Sequence, residues 1–484
     1  MSLSRNATYN AIGNVMLTVL AVVTVPLYLH IVGIERYGLL ALCWVFLSYS
    51  SFMDFGLGPA VAREIARSRD GEENLAAEAL WTAIWLSLAI SLVAAAAVYA
   101  IGTFYFGKMA KVAPAFRSEV AAAVPLMAAM VPGVMLSGVL ASALQGRERF
   151  LAFNVATVLG NVLLGVLPLI VAYFWSPAVP VLLAASLAAR LVPLPWLFQV
   201  CRRAVPLNGA RRPSAAAARR LLGFGGWISL TAMAGVVLGT AARLAVGGTL
   251  GAAAVSIYTI AFNLVSRVAI VANSVGAALF PRFAYLEKGD RDELVLHGLQ
   301  TIAAIVTPLL IGAVMLVDPF FAVWIGPELT EAALPVAYLV VIGFWFYCIG
   351  SPAQSLLQAS GRPDLVSKVM VAEVLPFVGA TLLALSLFGL PGGALVFTLR
   401  SVCETVAFLL LARIPWPALR SLLLPAGLTL AAAVAAGFME GLGEYLILLV
   451  LLAAATMWSA VHAPRAVLDR LARLGRFVPG GRVG

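Results

Sequence analysis

The chain has 484 residues, 62% hydrophobic and only 11% charged, and its mean hydropathy is +1.00. Soluble domains carry about 25% charged residues, so this composition excludes a water-soluble enzyme and points to an all-α polytopic membrane protein. The formal charge of +10 is explained below by topology and not by a nucleic-acid partner.

A helix needs about 20 apolar residues to cross a bilayer, and about fourteen such runs follow one another. The first, 9–32, is preceded by an Asn-rich opening. It lacks the basic region and small-residue cleavage site of a signal peptide, so it counts as a span. The second, 38–65, carries "SSFMDFGLGP", in which Asp54 lies about midway and Gly56 to Pro59 break the helix directly afterwards. A counterpart bend is expected at Gly276 to Pro281. Spans 78–106, 119–144, 151–174 and 179–203 complete a first group of six. The basic linker "CRRAVPLNGARRPSAAAARR" then divides the chain. A second six follow at 221–246, 253–284, 294–321, 332–358, 364–388 and 392–413, with two more at 419–439 and 444–462.

The halves echo each other. Tyr37 maps on Tyr258, Pro59 on Pro281, and Gln145 of "ALQGRERF" on Gln358 of "LLQASGRPDL". Six spans, an even number, separate the copies, so both halves share one orientation, as in parallel-repeat transporters. The expected organisation is a six-helix lobe over 1–203, a cytoplasmic linker over 204–220, a second lobe over 221–413, and two further helices with a basic cytoplasmic tail over 414–484.

With the N-terminus in the cytoplasm, 24 of the 32 Lys and Arg fall inside and four outside: Arg36, Lys108, Lys111 and Arg117. This asymmetry is the positive-inside pattern, which places both termini in the cytoplasm. The other four, Arg190, Arg243, Arg267 and Arg400, lie within spans, as do the acids Asp54, Glu373 and Glu404. Arg63 sits near the cytoplasmic end of span two. An ionisable group at the bilayer centre costs about 2.5–3.5 kcal/mol on insertion scales and usually faces a bundle interior or a cavity. The arginines form a ladder in depth, and a guanidinium fork suits phosphate oxygens. Arg400 and Glu404, four apart, also fit a structural pair.

Polar stripes accompany these charges. Ser256, Thr259, Asn263, Arg267 and Ser274 share one face of span eight at 100° per residue, and span five offers Asn154, Thr157 and Asn161. Such faces turn towards protein or water, not lipid. The four Cys and three His show no disulfide or metal-ligand spacing. No loop is long enough for a catalytic domain and no phosphate-binding loop occurs. The chain is therefore expected to be a transporter, not an enzyme, with no cofactor and no metal.

The stretch "VPLYLHIVGIERYGLLALCWVFLSYSSFMDFGLGPAVAREIA", with "LQGRERF" and "LLQASGRPDL", resembles the polysaccharide transport (Wzx-like) flippases of the multidrug/oligosaccharidyl-lipid/polysaccharide superfamily. The likeness runs to about residue 413. It implies two six-helix lobes around a cavity open alternately to either side. It also implies an undecaprenyl-diphosphate-linked glycan as substrate, flipped to the outer leaflet of the bacterial plasma membrane. Membrane lipids, a polysaccharide polymerase and glycosyltransferases would be its partners. Arg63, Arg190, Arg243, Arg267, Arg400 and Asn263 would contact the diphosphate and glycan, and Asp54, Glu373 and Glu404 would couple a cation gradient. The alternatives are a lipid II flippase, a multidrug/cation antiporter of the same superfamily, and a non-transporting partner of polysaccharide assembly. A drug transporter generally keeps an acidic lumen, whereas these spans hold four Arg against three acids.

Overall fold

The computed structural model describes residues 3–50, 56–68, 73–205, 213–223, 226–285, 288–439 and 441–462. Asp54 lies outside the described residues. Everything regular in them is helical: α1 (Leu3–Ile31), α2 (Ile34–Ser50), α3 (Leu57–Arg67), α4 (Glu73–Phe104), α5 (Arg117–Gly146), α6 (Phe150–Phe174), α7 (Val179–Leu191), α8 (Leu194–Ala204), α9 (Ala215–Gly223), α10 (Gly226–Thr249), α11 (Ala252–Ser266), α12 (Ala269–Tyr285), α13 (Lys288–Trp324), α14 (Pro327–Ala359), α15 (Pro363–Phe388), α16 (Leu390–Leu411), α17 (Trp416–Phe438) and α18 (Leu442–His462). A π-helical turn, Tyr105–Met109, and a 3-10 turn, Pro114–Phe116, join α4 to α5.

Ten of these helices, and the run Val179–Ala204 formed by α7 and α8 together, are long and apolar enough to cross a membrane, which makes eleven spans. The number is twelve when the bent pair Ala252–Ser266 and Ala269–Gly276 counts as one span. For the first two expected spans the described residues include the apolar stretch Thr18–Ile31 of α1 and the 17 residues of α2, whereas residues 51–55 lie outside them. Gly56 stands in the left-handed region at φ 75 before α3 begins. Fourteen is thus an approximate count of a polytopic all-α fold.

By packing, the chain divides into one compact unit from Met1 to Thr259 and another from Ile260 to Gly484. In the first, α3 is amphipathic. It buries Leu57, Val61 and Ile65 and exposes Arg63 and Arg67. That face packs on α4, α5 and α9, in a core cluster that also holds Ala76 and Leu80 of α4, Ala143 and Leu144 of α5, Leu197 and Cys201 of α8, and Leu221 of α9. An ion pair between Arg220 Nε and Glu64 Oε1 (2.9 Å) ties α9 to α3. At the opposite end Tyr105 Oη donates to Leu244 O (2.7 Å), Lys111 N to Gly247 O (3.0 Å), and Ser256 Oγ to Ile34 O (2.6 Å). Glu119 accepts two bonds from Arg36 Nε and Nη2 and one from Val179 N, so one carboxylate joins the starts of α2, α5 and α7.

In the second unit α14 packs against α12, α13, α15, α16 and α17. Thr398 Oγ1 of α16 reaches Leu339 O of α14 (2.6 Å), and Thr405 Oγ1 reaches Phe346 O (2.7 Å), a repeat of seven on both helices. Four residues beyond each accepting carbonyl stands a glycine, Gly343 or Gly350. A Cβ at Gly343 would lie 2.6 Å from Phe397 Cε1, and one at Gly350 2.8 Å from Thr405 Oγ1. A larger residue there would cover the carbonyl and push the helices apart.

Two loops repeat their hydrogen bonds at a constant offset. After α5, Arg147 N donates to Ala143 O, Glu148 N to Gln145 O and Arg149 N to Leu144 O. After α14, the same three bonds recur 213 residues on, from Ser360, Gly361 and Arg362. This is a Schellman ending, and its left-handed position holds Glu148 (φ 53) in one copy and Gly361 (φ 77) in the other. After α1 and after α10, the bonds of Val32, Gly33 and Tyr37 recur 218 residues on in Leu250, Gly251 and Val255. Tyr37 therefore corresponds to Val255 and not to Tyr258, because a shift of three residues leaves an apolar helix face nearly unchanged. At Gly276–Pro281, where a bend is expected, the helix is not interrupted, and α12 runs through both positions. Span eight bends instead by 41° between Ser266 and Ala269, where bonds from Arg267, Val268, Ile270 and Val271 to residues three back replace the α-helical pattern.

Candidate functional site

The charged side chains of the spans sort into three kinds by what surrounds them. Arg190 stands near the end of α7, just before the Val192–Pro193 interruption, where proline withholds an N–H from the ladder. It lines a cavity of about 200 Å³ within the first unit, together with Ser137 of α5 and Thr157 and Asn161 of α6. Each of those polar groups donates along its own helix: Ser137 Oγ to Val134 O, Thr157 Oγ1 to Phe153 O, and Asn161 Nδ2 to Thr157 O. Arg190 Nε is buried and without a partner, and no carboxylate lines the cavity. Among the described residues, Arg190 has no ion pair.

Arg267, at the break between α11 and α12, is the comparable group in the second unit. It is half-buried, makes no side-chain ion pair among the described residues, and is the one charged residue lining a cavity of about 380 Å³. The sequence stripe that contains it does not stay on one line. Ser256 and Thr259 are buried at the crossing with α2 or beside it, Ser266 Oγ donates to Asn263 O, and Ser274 Oγ, past the bend, donates to Ile270 O.

Arg400 is of a different kind. Its Nη1 lies 2.9 Å from Glu404 Oε2 and 3.3 Å from Glu373 Oε2. Phe377 and Phe397 flank the guanidinium at 5.5 and 5.6 Å to their ring centroids. The side chains are 9%, 7% and 16% exposed for Arg400, Glu404 and Glu373. The fold thus joins one residue expected to bind substrate to two expected to couple ions. One cation faces two carboxylates, so the cluster carries an excess negative charge unless one acid is protonated. Arg243 is enclosed near Tyr37 and Tyr258. Arg63 lies on the exposed face of the amphipathic α3. The two polar bridges that sequence reasoning missed, Glu119 with Arg36 and the Thr398/Thr405 ladder, left one signal in the chain: Thr and Gly pairs each seven apart.

The sequence profile described as Polysaccharide biosynthesis protein (Polysacc_synt) matches residues 3–287. The chain is 22% identical over 414 residues to a protein named as a candidate O-antigen transporter of Shigella flexneri, covering 84% of this chain and 96% of that one. It is 24% identical over 410 residues to the lipopolysaccharide biosynthesis protein WzxC of Escherichia coli (strain K12), covering 83% and 78%. Its fold is shared with the lipid II flippase MurJ in an inward closed conformation (TM-score 0.71, 13% identity, 95% and 99% covered). It is also shared with an inward-facing multidrug resistance MATE transporter of the MOP superfamily (0.65, 17%, 84% and 95%). With more than half of its length matched by that profile, the chain belongs to the polysaccharide biosynthesis protein family.

Proposed function

We propose that the protein flips a lipid-diphosphate-linked oligosaccharide, a polysaccharide repeat unit on undecaprenyl diphosphate, from the cytoplasmic to the outer leaflet of the bacterial plasma membrane. It does so by alternating access of two lobes, 1–203 and 221–413, with no catalytic chemistry of its own. The observation that carries this reading is the pair Arg190 and Arg267, two guanidinium groups inside membrane helices that no described side chain neutralises. A buried cation without a counter-charge is costly, and an anionic cargo is what would offset it. The relatives named for O-antigen and lipopolysaccharide work agree with a diphosphate-linked glycan. The repeated loop bonds support the two-lobe division.

The Glu373–Arg400–Glu404 cluster serves in this reading as the coupling group. Loading one proton on a glutamate neutralises it, and losing that proton restores a net negative site. Asp54 is proposed as a further lumen counter-ion. Glycosyltransferases would supply the cargo and a polymerase would consume it. Positive-inside asymmetry supports cytoplasmic termini.

The test is translocation of an undecaprenyl-diphosphate-linked oligosaccharide in proteoliposomes. Arg190→Gln and Arg267→Gln should each slow it about tenfold, a loss of about 1.4 kcal/mol, with folding intact. Wild-type rates in both variants would end the proposal. Transport of lipid II or of a cationic drug in place of the glycan would move the reading to those alternatives.

A further inference from the structure

The cavity of about 380 Å³ in the second unit has an apolar lining that the transport reading leaves unexplained. It is a half-open groove between α11, α13 and α14, lined by Leu264, Val268, Leu309, Ala313, Leu316 and Phe320 among others, with Arg267 as its single charged group. Along α13 it extends from Leu309 to Phe320, about three helical turns. Its rim is open to the lipid side, with Leu309 50% and Leu316 61% exposed. At its far end Phe320, and beyond it Phe321, each stack on Trp324.

An apolar groove on a membrane helix bundle is ordinarily filled by bilayer lipid. Arg267 separates this one from that case. It falls midway along span eight, at the bend, whereas the phosphate of a resident phospholipid stays at the membrane interface. A phosphate reaches mid-depth only on a lipid in passage. The guanidinium recognises that phosphate, and the groove beside it, of about 380 Å³, has room for a segment of one hydrocarbon chain and not for a diacyl pair.

We propose that this groove holds the proximal part of a single-chain isoprenoid phosphate, with the phosphate on Arg267 and the chain running along α13 towards Phe320. The inference rests on the reading of a lipid-phosphate cargo and adds where its tail leaves the protein. The groove would then let the polar head pass through the protein while the tail never leaves an apolar surface.

The test uses the full-length protein and binding, not transport. Undecaprenyl phosphate and dioleoylphosphatidic acid are offered in equal amounts, and retained lipid is read by native mass spectrometry. Wild type should retain the isoprenoid phosphate at least tenfold over the diacyl lipid. Ala313→Trp, which fills the groove from an exposed position, and Arg267→Gln should each abolish that preference, whereas Leu410→Trp, on a lipid-facing position of α16, should keep it. Equal retention of both lipids by wild type, or an undiminished preference in Ala313→Trp, overturns the proposal. A diazirine-bearing isoprenyl phosphate provides an arm with no substitution: labelling of α13 and α14 peptides supports the groove, and labelling confined to other helices overturns it. Because the probe carries no sugar, loss of glycan transport with the label still on α13 defeats the transport reading alone.

Discussion

Arg400 and Arg190 are both intramembrane arginines, yet their surroundings assign them opposite work. Arg400 is held by two carboxylates and two phenyl faces, so removing it would leave Glu373 and Glu404 facing each other. Arg400→Gln should therefore destabilise the second unit by about 3–5 kcal/mol, the usual cost of breaking a buried pair, seen as a lowered melting temperature in detergent. Arg400→Gln combined with Glu404→Gln should recover much of that loss. An Arg400→Gln protein that melts like wild type would show that the cluster is hydrated and weak. The sequence showed every one of these charges and their depth, and even the four-residue spacing of Arg400 and Glu404. It could not show that Glu373, on another helix, completes the cluster, because contacts between helices depend on which faces meet. Nor could it separate the neutralised arginine from the uncompensated ones.

Among the helices, the α14–α16 crossing depends on alternating small and hydroxyl-bearing residues. Gly350→Val should drive a methyl group into Thr405 and break its bond to Phe346 O. Overpacking costs about 1–3 kcal/mol, so the variant should melt lower than Gly379→Val, whose Cβ would meet nothing within 4 Å. Equal melting of the two would refute the close approach. The turn after α5 makes the opposite prediction. Glu148 holds a left-handed conformation that its counterpart fills with Gly361, and that conformation costs a non-glycine residue about 1–2 kcal/mol. Glu148→Gly should therefore stabilise by roughly 0.5–1 kcal/mol once the flexibility of glycine in the unfolded chain is subtracted, measured by the same melts. Helical periodicity found the polar stripe of span eight, but an ideal 100° step assumes a straight helix. The turn at Arg267 and Val268 bends it, and the hydroxyls of Ser266 and Ser274 are satisfied by their own backbone. Local satisfaction of this kind is invisible to a count of polar residues.

For the molecule as a whole, hydropathy and charge asymmetry were enough to read the class and nearly all the spans, because a bilayer imposes helices of one length. Orientation is open to direct measurement. A Cys at Lys111 should react with a membrane-impermeant maleimide in intact cells, and one at Ser214 only after lysis. Of the native cysteines Cys43, Cys201 and Cys348 are buried, and the exposed Cys403 is replaced by Ala in the labelling background. The reverse labelling pattern would invert the topology and with it the direction of the proposed flipping.

The matched turns imply a history as well as a symmetry. Their offset falls from 218 residues after α1 to 213 after α5, so the first copy carries five residues more between those points. The surplus is best placed in the α4–α5 connection, which has the turns Tyr105–Met109 and Pro114–Phe116, while α13 and α14 are separated by Ile325 and Gly326 alone. That same connection supplies the bonds from Tyr105 to Leu244 and from Lys111 to Gly247. An ancestral duplication that began with two equal halves would have diverged there, and the halves would no longer be interchangeable: a chimera carrying the second copy twice would lack the fastening that the longer connection gives to α10.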